Sequence, residues 1–155
     1  MSARAHLHRL STLWVENPLY FVTQNTAGRR RILHLPASAG IVRRALADAD
    51  KVHGWAVGKF VIMPDHIHFF VRARPGAKSL SNFMRDWKRW TAREILAAHG
   101  LRAPLWQAEF FDHALRSANS YAEKWEYVRL NPLRAGLVLS DESWPHEGEI
   151  HALTY

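Results

Sequence analysis

"WAVGKFVI" (residues 55–62) and "HIHFFVR" (66–72), joined through Met63, Pro64 and Asp65, decide how this chain folds. Both runs are rich in β-branched and aromatic residues, and proline and aspartate fill the central positions of a type I turn from Met63 to His66. The pattern predicts an antiparallel hairpin. Side chains alternate along a strand, so His66, His68, Phe70 and Arg72 share one face, and Ile67, Phe69 and Val71 share the other. The apolar set calls for a cover of helices. The two imidazoles, about 7 Å apart at the backbone, are left together on the opposite face, where two rings can converge on one cation. Such a pair also suits an ordinary polar strand face, and the stretch alone leaves both readings open.

Working outward, "LYFVTQNT" (19–26) reads as a first strand that runs into the basic loop "AGRRR" (27–31). "SAGIVRRALADADKVHG" (38–54) carries a helical stripe of Ile41, Val42, Ala45, Leu46 and Ala49 and ends near Gly54. After the hairpin, a long helix is predicted from about Leu80 to His99, with Ser79 or Ser81 as N-cap and Gly100 as stop. Leu80, Met84, Trp87, Thr91, Ile95 and Ala98 form its apolar face, and Arg85, Lys88, Arg89 and Arg93 lie roughly opposite. "DHALRS" (112–117) reads as a fourth strand. "SYAEKWEYVRLNP" (120–132) reads as a last helix, with Ser120 and Glu123 as a capping box and Pro132 closing it. The expected fold is therefore α+β: a ferredoxin-like βαββαβ antiparallel sheet with helices on one face and an added C-terminal helix.

No internal repeat or linker interrupts the chain, which points to one domain over residues 1–155. Lys and Arg total 21 against 14 Asp and Glu, giving a formal charge of +7 and a sequence pI near 10.2. A polyanionic partner, most simply nucleic acid, follows from that balance. The absence of cysteine excludes disulfides, thiolate metal sites and a cysteine nucleophile, so any metal must be held by nitrogen or oxygen. The amino-terminal "MSARAHLHRLSTLW" (1–14) lacks the apolar core of a signal peptide, and no run approaches the roughly 18 apolar residues that would cross a bilayer. A cytoplasmic protein with no membrane partner is expected.

On the last helix, Tyr121, Trp125 and Val128 fall on one face, and Lys124, Tyr127 and Asn131 on another. A deprotonated phenol can attack phosphorus, and the Asn131 amide oxygen can complete a hard-metal shell with the two histidines. That shell would be neutral and would leave the ion's full charge to polarise a phosphate. The same spacing also suits an amphipathic surface tyrosine and an asparagine C-cap before proline.

"MPDHIHFFV" (63–71), "LWQAEFFDHALRS" (105–117) and "YVRLNPLRAGLV" (127–138) together resemble the successive signatures of the single-tyrosine HUH transposases (transposase IS200-like), in particular the REP-associated tyrosine transposase branch. The resemblance runs from about Leu19 to Pro145. It implies that His66 and His68 ligate Mg²⁺ or Mn²⁺, that Asn131 is the third ligand and that Tyr127 is the nucleophile. The implied reaction is cleavage and rejoining of single-stranded DNA through a 5′-phosphotyrosine link, at hairpins or palindromic repeats, by a monomer or homodimer associated with the nucleoid. Arg29, Arg30 and Arg31 in the basic loop, Arg85, Lys88, Arg89 and Arg93 on the long helix, and Arg129 and Arg134 beside the tyrosine are the expected DNA contacts. Trp55, Trp87 and Trp125 read as core, and Trp90 and Trp106 as candidates for stacking on bases. His113 is a secondary site candidate.

The chain departs from the family where Phe21 and Asn25 replace a histidine and a basic residue often found on the first strand, which puts DNA contacts from that strand in doubt. Two other functions compete. A domesticated protein could keep hairpin recognition and cleave little. A metal-dependent hydrolase is the other, but Phe70 stands where a metallo-β-lactamase-like pattern needs aspartate, and no second His-x-Ser/Thr is found for a two-histidine phosphoesterase.

Overall fold

The structure is a computed structural model that describes residues 17–155. The expectation that residues 1–14 carry no signal peptide lies outside the described residues. The elements in chain order are β1 (Leu19–Asn25), α1 (Pro36–His53), β2 (Trp55–Ile62), β3 (His66–Ala73), α2 (Leu80–His99), β4 (Phe111–Ala114), α3 (Ala118–Arg129), α4 (Asn131–Arg134) and β5 (Glu147–Glu149). The strands form one antiparallel sheet in the order β4-β1-β3-β2-β5. Its first four strands have the ferredoxin-like order, and β5 extends the sheet beyond β2. That short strand is too brief and too polar to carry a strand signature in the sequence.

The hairpin forms as its residues dictate. Met63 N–H donates to the His66 carbonyl at 2.8 Å, while the Pro64 and Asp65 carbonyls accept from Leu33 N–H (2.9 Å) and Thr26 N–H (3.0 Å). The turn is thus stitched to the segment that follows β1, which fixes where β3 starts. β3 lies between β1 and β2, and its two faces meet different partners. Ile67, Phe69 and Val71 belong to a large apolar cluster with Val42 and Leu46 of α1 and Phe83, Trp87 and Ile95 of α2. Phe70 on the other face belongs to a smaller cluster with Leu19, Phe21, Val61, Tyr121 and Val128. Two helices therefore cover one face, and α3 covers part of the other, the face that carries the histidines.

Helix ends follow ordinary capping chemistry. Ser79 Oγ accepts from Asn82 N–H at 3.1 Å to open α2, and Gly54 (φ 78°) and Gly100 (φ 62°) close α1 and α2 in the left-handed region that favours glycine. At α3 the structure corrects the sequence reading. The cap is Ser117, whose Oγ accepts from Ser120 N–H at 3.0 Å, and not Ser120. Pro132 does not close the helix either. The chain breaks at Leu130, and Pro132 sits in the first turn of α4, where its missing N–H costs no helical bond. Asn131 is consequently the first residue of a new turn and not the last of α3.

Trp106 is also corrected. It is only 5% exposed, its Nε1–H donates to Thr91 Oγ1 at 2.9 Å, and its ring lies beside Trp87, so it belongs to the core and cannot stack on a base. Trp90 is half-buried and lines a cleft between α1 and α2. Trp125, read as core, is half-buried against the smaller cluster. Among the described residues, no helix is long and apolar enough to cross a membrane.

Candidate active site

Register along β3 brings His66 and His68 onto one face with their ring centroids 4.8 Å apart and nearly perpendicular. Each ring is held through Nδ1. His66 Nδ1 lies 2.7 Å from Asp65 Oδ1. A carboxylate only accepts, so the proton sits on Nδ1 and the lone pair on Nε2. An Arg29 nitrogen stands 3.5 Å from the same Nδ1, too far to compete with the carboxylate. His68 Nδ1 lies 2.8 Å from Thr23 Oγ1, the residue directly across from it on β1, and the ring stacks on Phe21 at 5.2 Å. Both Nε2 atoms are left over.

The charge state of the pair suits a cation. Burial lowers the His68 pKa to about 3, helped by His66 and by the positive charges of Lys124 and Arg134. Burial also lowers His66 below its ordinary value, against the raising effect of Asp65. Burial alone would raise Asp65, but hydrogen bonds from His66 and Arg29 outweigh it and hold the carboxyl below its usual range. Two neutral imidazoles beside a firmly ionised carboxylate make a donor set that fits a divalent ion accepting nitrogen ligands, with the carboxylate orienting one ligand from behind. Among the described residues, no group of three His, Asp or Glu side chains could hold a metal. The oxygen donor expected from the sequence to complete such a set is the Asn131 amide.

Asn131 lies at the break that follows α3 at Leu130. Tyr127, near the end of α3, is 63% exposed, so its phenol is open to a large substrate. Asn131 begins α4, and Arg134 ends it. The Arg134 guanidinium donates to the Tyr127 carbonyl and to Asn131 Oδ1, and its carbon lies 4.0 Å from the centre of the Tyr127 ring. Arg134 and Lys124 are the two cations whose charge is felt at His68, and Lys124 lies over the Phe21 ring on which His68 stacks. The end of α3, the start of α4 and the histidine strand thus share one face of the sheet.

With that geometry in view, comparisons with known proteins are decisive at the level of family. A family profile described as "Transposase IS200 like" matches residues 16–129, most of the chain. The chain belongs to the IS200-like transposase family. A curated relative, the REP-associated tyrosine transposase of Escherichia coli (strain K12), is 26% identical over 132 residues, covering 85% of this chain and 76% of its own. A solved structure of a REP-associated tyrosine transposase bound to a REP hairpin superimposes with a TM-score of 0.68 at 24% identity, covering 84% of this chain and 75% of that one. A second structure, of a protein from Deinococcus radiodurans R1 provisionally named a transposase, gives 0.57 at 22% identity, covering 72% and 88%. These two likenesses establish the fold. The family is one of transposases, proteins that bind DNA and act in transposition.

The remaining expected contacts of this transposase-family chain fall in two places. Arg29 lies beside the histidines, paired with Asp65 at 3.0 Å, and Arg31 is exposed nearby on the same loop. Arg30 instead donates to the Arg102 carbonyl at 2.8 Å and pins the segment ahead of Trp106. Arg129 is paired with Glu126 one turn back on α3. His113 pairs with Phe21 across β1 and β4, so it lies on the histidine face but is exposed at the sheet edge. The α2 group lies on the far side of the sheet. There Arg85 pairs with Asp86, Arg89 and Arg93 line the cleft beside Trp90, and Lys88 donates at 2.8 Å to the Gln107 and Ala108 carbonyls. Burial lowers the Lys88 pKa, as expected for an ammonium withdrawn from water.

Thr23 and Asp65 had no place in the site as read from the sequence, and Arg134, expected there as a phosphate contact, also donates to the Tyr127 carbonyl and to Asn131 Oδ1. The only signal was Asp65 itself, a carboxylate immediately before the first histidine. Thr23 becomes visible only when β1 and β3 are in register.

Proposed function

We propose that the protein cleaves and rejoins single-stranded DNA, with Tyr127 as nucleophile and His66, His68 and Asn131 as ligands of Mg²⁺ or Mn²⁺. The observation that carries this reading is the Arg134 contact set: one guanidinium ties the Tyr127 carbonyl and ring to the Asn131 amide oxygen, and its charge reaches His68. The Arg134 charge links this local helix break to His68 on the distant strand β3. Family membership supports the same reaction class.

In the proposed reaction the Tyr127 oxygen, once its proton has left, attacks the phosphorus of a DNA phosphodiester. The bond between phosphorus and the 3′ oxygen breaks, a 5′-phosphotyrosine link forms, and a 3′-hydroxyl leaves. The number of phosphoester bonds is unchanged, so the same steps in reverse join strands without a nucleotide cofactor. A bound divalent ion would supply Lewis-acid polarisation of the phosphate. Asp65 fixes the tautomer and orientation of the His66 ring, Thr23 holds the orientation of the His68 ring, and Phe21 stacks on His68. Arg29, Arg31 and Arg129 would neutralise phosphates of the bound strand. Because a solved relative is bound to a REP hairpin, hairpin-bearing DNA is the substrate class we assign, with the protein working among the chromosomal DNA of the cytoplasm.

The test is direct. Incubation with hairpin-bearing single-stranded DNA and Mn²⁺ should give a covalent protein–DNA adduct, visible as a shifted band under denaturing conditions. Tyr127→Phe should abolish it without changing the melting temperature. An adduct of undiminished yield in that variant would sink the assignment of the nucleophile.

A further inference from the structure

β1 and β3 stay in register without a bulge from Asn25 opposite His66 to Leu19 opposite Arg72. The period of two that joins His66 to His68 therefore carries on to Arg72, on the same face and about 13 Å beyond His68. Phe70, between them, lies under Tyr121 and Trp125 of α3, and Arg72 ends the row half-buried. The chain after β5 then folds over this end of the sheet. Ile150 N–H donates to the Gly58 carbonyl at 3.1 Å and His151 N–H to the Val57 carbonyl at 2.9 Å. Leu153 packs so closely on Gly58 that a Cβ there would stand 2.9 Å from its Cδ1, and the Tyr155 hydroxyl donates to the Leu115 carbonyl. Between this strap and the end of β3 lies a cleft of about 310 Å³, with Ala56, Arg72, Arg74, His151 and Thr154 in its wall.

The charges around the cleft do not balance. None of the described residues that line it is acidic. Arg74 is neutralised from outside the cleft, its Nε and a terminal nitrogen donating to the two Asp50 oxygens at 2.9 and 3.0 Å. His151 Nε2 stands 3.8 Å from Asp50 Oδ2, too far for a hydrogen bond, and has no partner. Arg72 donates through Nε alone, to the Asn17 carbonyl at 2.9 Å. No carboxylate among the described residues pairs with it. A half-buried guanidinium is thus fixed at one nitrogen, with the rest of its planar fork open to the oxygens of an anion.

We propose that this cleft is a separate phosphate site for DNA, in which Arg72 grips a phosphodiester other than the one that is cleaved. One phosphodiester carries one negative charge, which matches the one guanidinium left without a counterion. The Thr154 hydroxyl on the opposite wall is a further donor for the same group. DNA is the occupant because Arg72 shares a strand and a face with the histidine pair, so a bound molecule that spans α3 meets both. Inorganic phosphate would meet the same fork without that link. The inference rests on the histidine face being the DNA face, as proposed above, and adds an anchor remote from the chemistry.

The experiment uses a hairpin-bearing single strand in which phosphates are replaced one at a time by uncharged methylphosphonates. Binding is measured with the full-length chain in a Tyr127→Phe background, so that no cleavage intervenes. With Arg72 present, neutralising the phosphate it holds should weaken binding about tenfold, the order expected for one charge-assisted contact. In Arg72→Gln the same replacement should cost nothing further, while the other positions keep their cost. Arg72→Lys, which keeps the charge and loses the fork, should retain part of the effect at that position. The slope of log affinity against log salt should fall in Arg72→Gln by about 0.7 to 0.9, the value for one phosphate. A scan in which every position costs as much in Arg72→Gln as in the parent overturns the proposal, as does silencing only of the phosphate that becomes linked to Tyr127. Competition by inorganic phosphate that depends on Arg72, with no position silenced, reduces the cleft to a free-anion site and also overturns it. Thermal unfolding of both Arg72 variants gives the folding control. Absence of any Tyr127 adduct would count against the proposed cleavage, whereas the pairing of Arg72 with a phosphate is read from binding alone.

Discussion

Phe69 and Phe70 are neighbours on β3, and both are 0% exposed, yet they face unlike surroundings. Phe69 points into the apolar layer under α1 and α2, beside Trp87 at 6.2 Å. Phe70 points to the histidine face, where Tyr121 and Trp125 of α3 meet it edge-on and Lys59 lies over the same two rings. One face is dry and continuous; the other mixes a small apolar patch with imidazoles and guanidinium groups. A single alternating strand thus gives the larger core one face and the histidines, with a smaller core, the other, and it does so residue by residue.

The sharpest way to break that comparison is to truncate each phenylalanine in turn. Phe69→Ala and Phe70→Ala should each cost about 3–5 kcal/mol, the usual range for emptying a buried aromatic site. Phe69→Ala should lower amide protection across the whole sheet. Phe70→Ala should release α3 first, so that α3 amides exchange under conditions where β2 and β3 remain protected and adduct formation falls more steeply than stability. Uniform loss of protection in both variants would show that the two faces unfold as one unit.

Acidity separates the faces next. His68 is held neutral in the folded protein with a pKa near 3, whereas in the unfolded chain it titrates near its ordinary 6.5. Between those values the unfolded state binds more protons, so stability is full above about pH 6.5 and falls as the pH drops toward 3. The slope from this residue approaches about 1.4 kcal/mol per pH unit. His66 shifts in the same direction. Denaturant unfolding of the metal-free protein at pH 7, 5.5 and 4.5 should show this loss, and His68→Asn should flatten it. Equal slopes in the two proteins would remove burial of the imidazole as the cause.

Much of this was legible in the sequence, for identifiable reasons. Alternation on β3 assigned His66 and His68 to one face because a strand's period of two leaves no freedom. α2 runs from Leu80 to His99 as expected because Ser79 and Gly100 punctuate it strongly. Where local signals competed, the sequence reading failed. Ser117 and Ser120 both suit a cap, and the structure uses the first. Pro132 follows Asn131 in a pattern that reads as a stop, but proline is equally at home in the first turn of a new helix, and that turn re-aims Asn131 and Arg134. Trp106 lies in a stretch without periodicity, so its burial depends on Thr91 of another element. The bonds of Thr23 to His68, 45 residues away, and of Arg134 across the helix break depend on tertiary register, which no local period encodes.

On the histidine face the supporting groups should matter more for metal than for stability. Asp65→Asn keeps the side-chain shape and removes the charge that sets the His66 tautomer, so Mn²⁺ affinity should fall about 10- to 100-fold, the usual cost of losing such an outer partner. Thermal unfolding without metal should change little. Calorimetric titration of Mn²⁺ checks the first part, and affinity unchanged in Asp65→Asn would mean that the backbone alone orients His66.

The smallest expected effects decide whether nucleic acid touches both faces. Arg31 follows Arg29 in the loop beside the histidines, Arg129 ends α3 over the histidine face, and Arg89 and Arg93 lie behind the sheet on α2. If DNA stays on the histidine face, replacing Arg31 or Arg129 by alanine should reduce the slope of log affinity against log salt by about 0.7 per lost phosphate contact on a single strand. The same change at Arg89 or Arg93 should leave the slope alone. Lys88→Met should also leave it alone, because that ammonium is spent on the Gln107 and Ala108 carbonyls, and its cost should appear as faster exchange in the segment before β4. Reduced slopes from Arg89 and Arg93 would instead mean that a strand wraps the sheet edge into the cleft beside Trp90. The division between a structural face and a chemical face would then hold for catalysis and fail for binding.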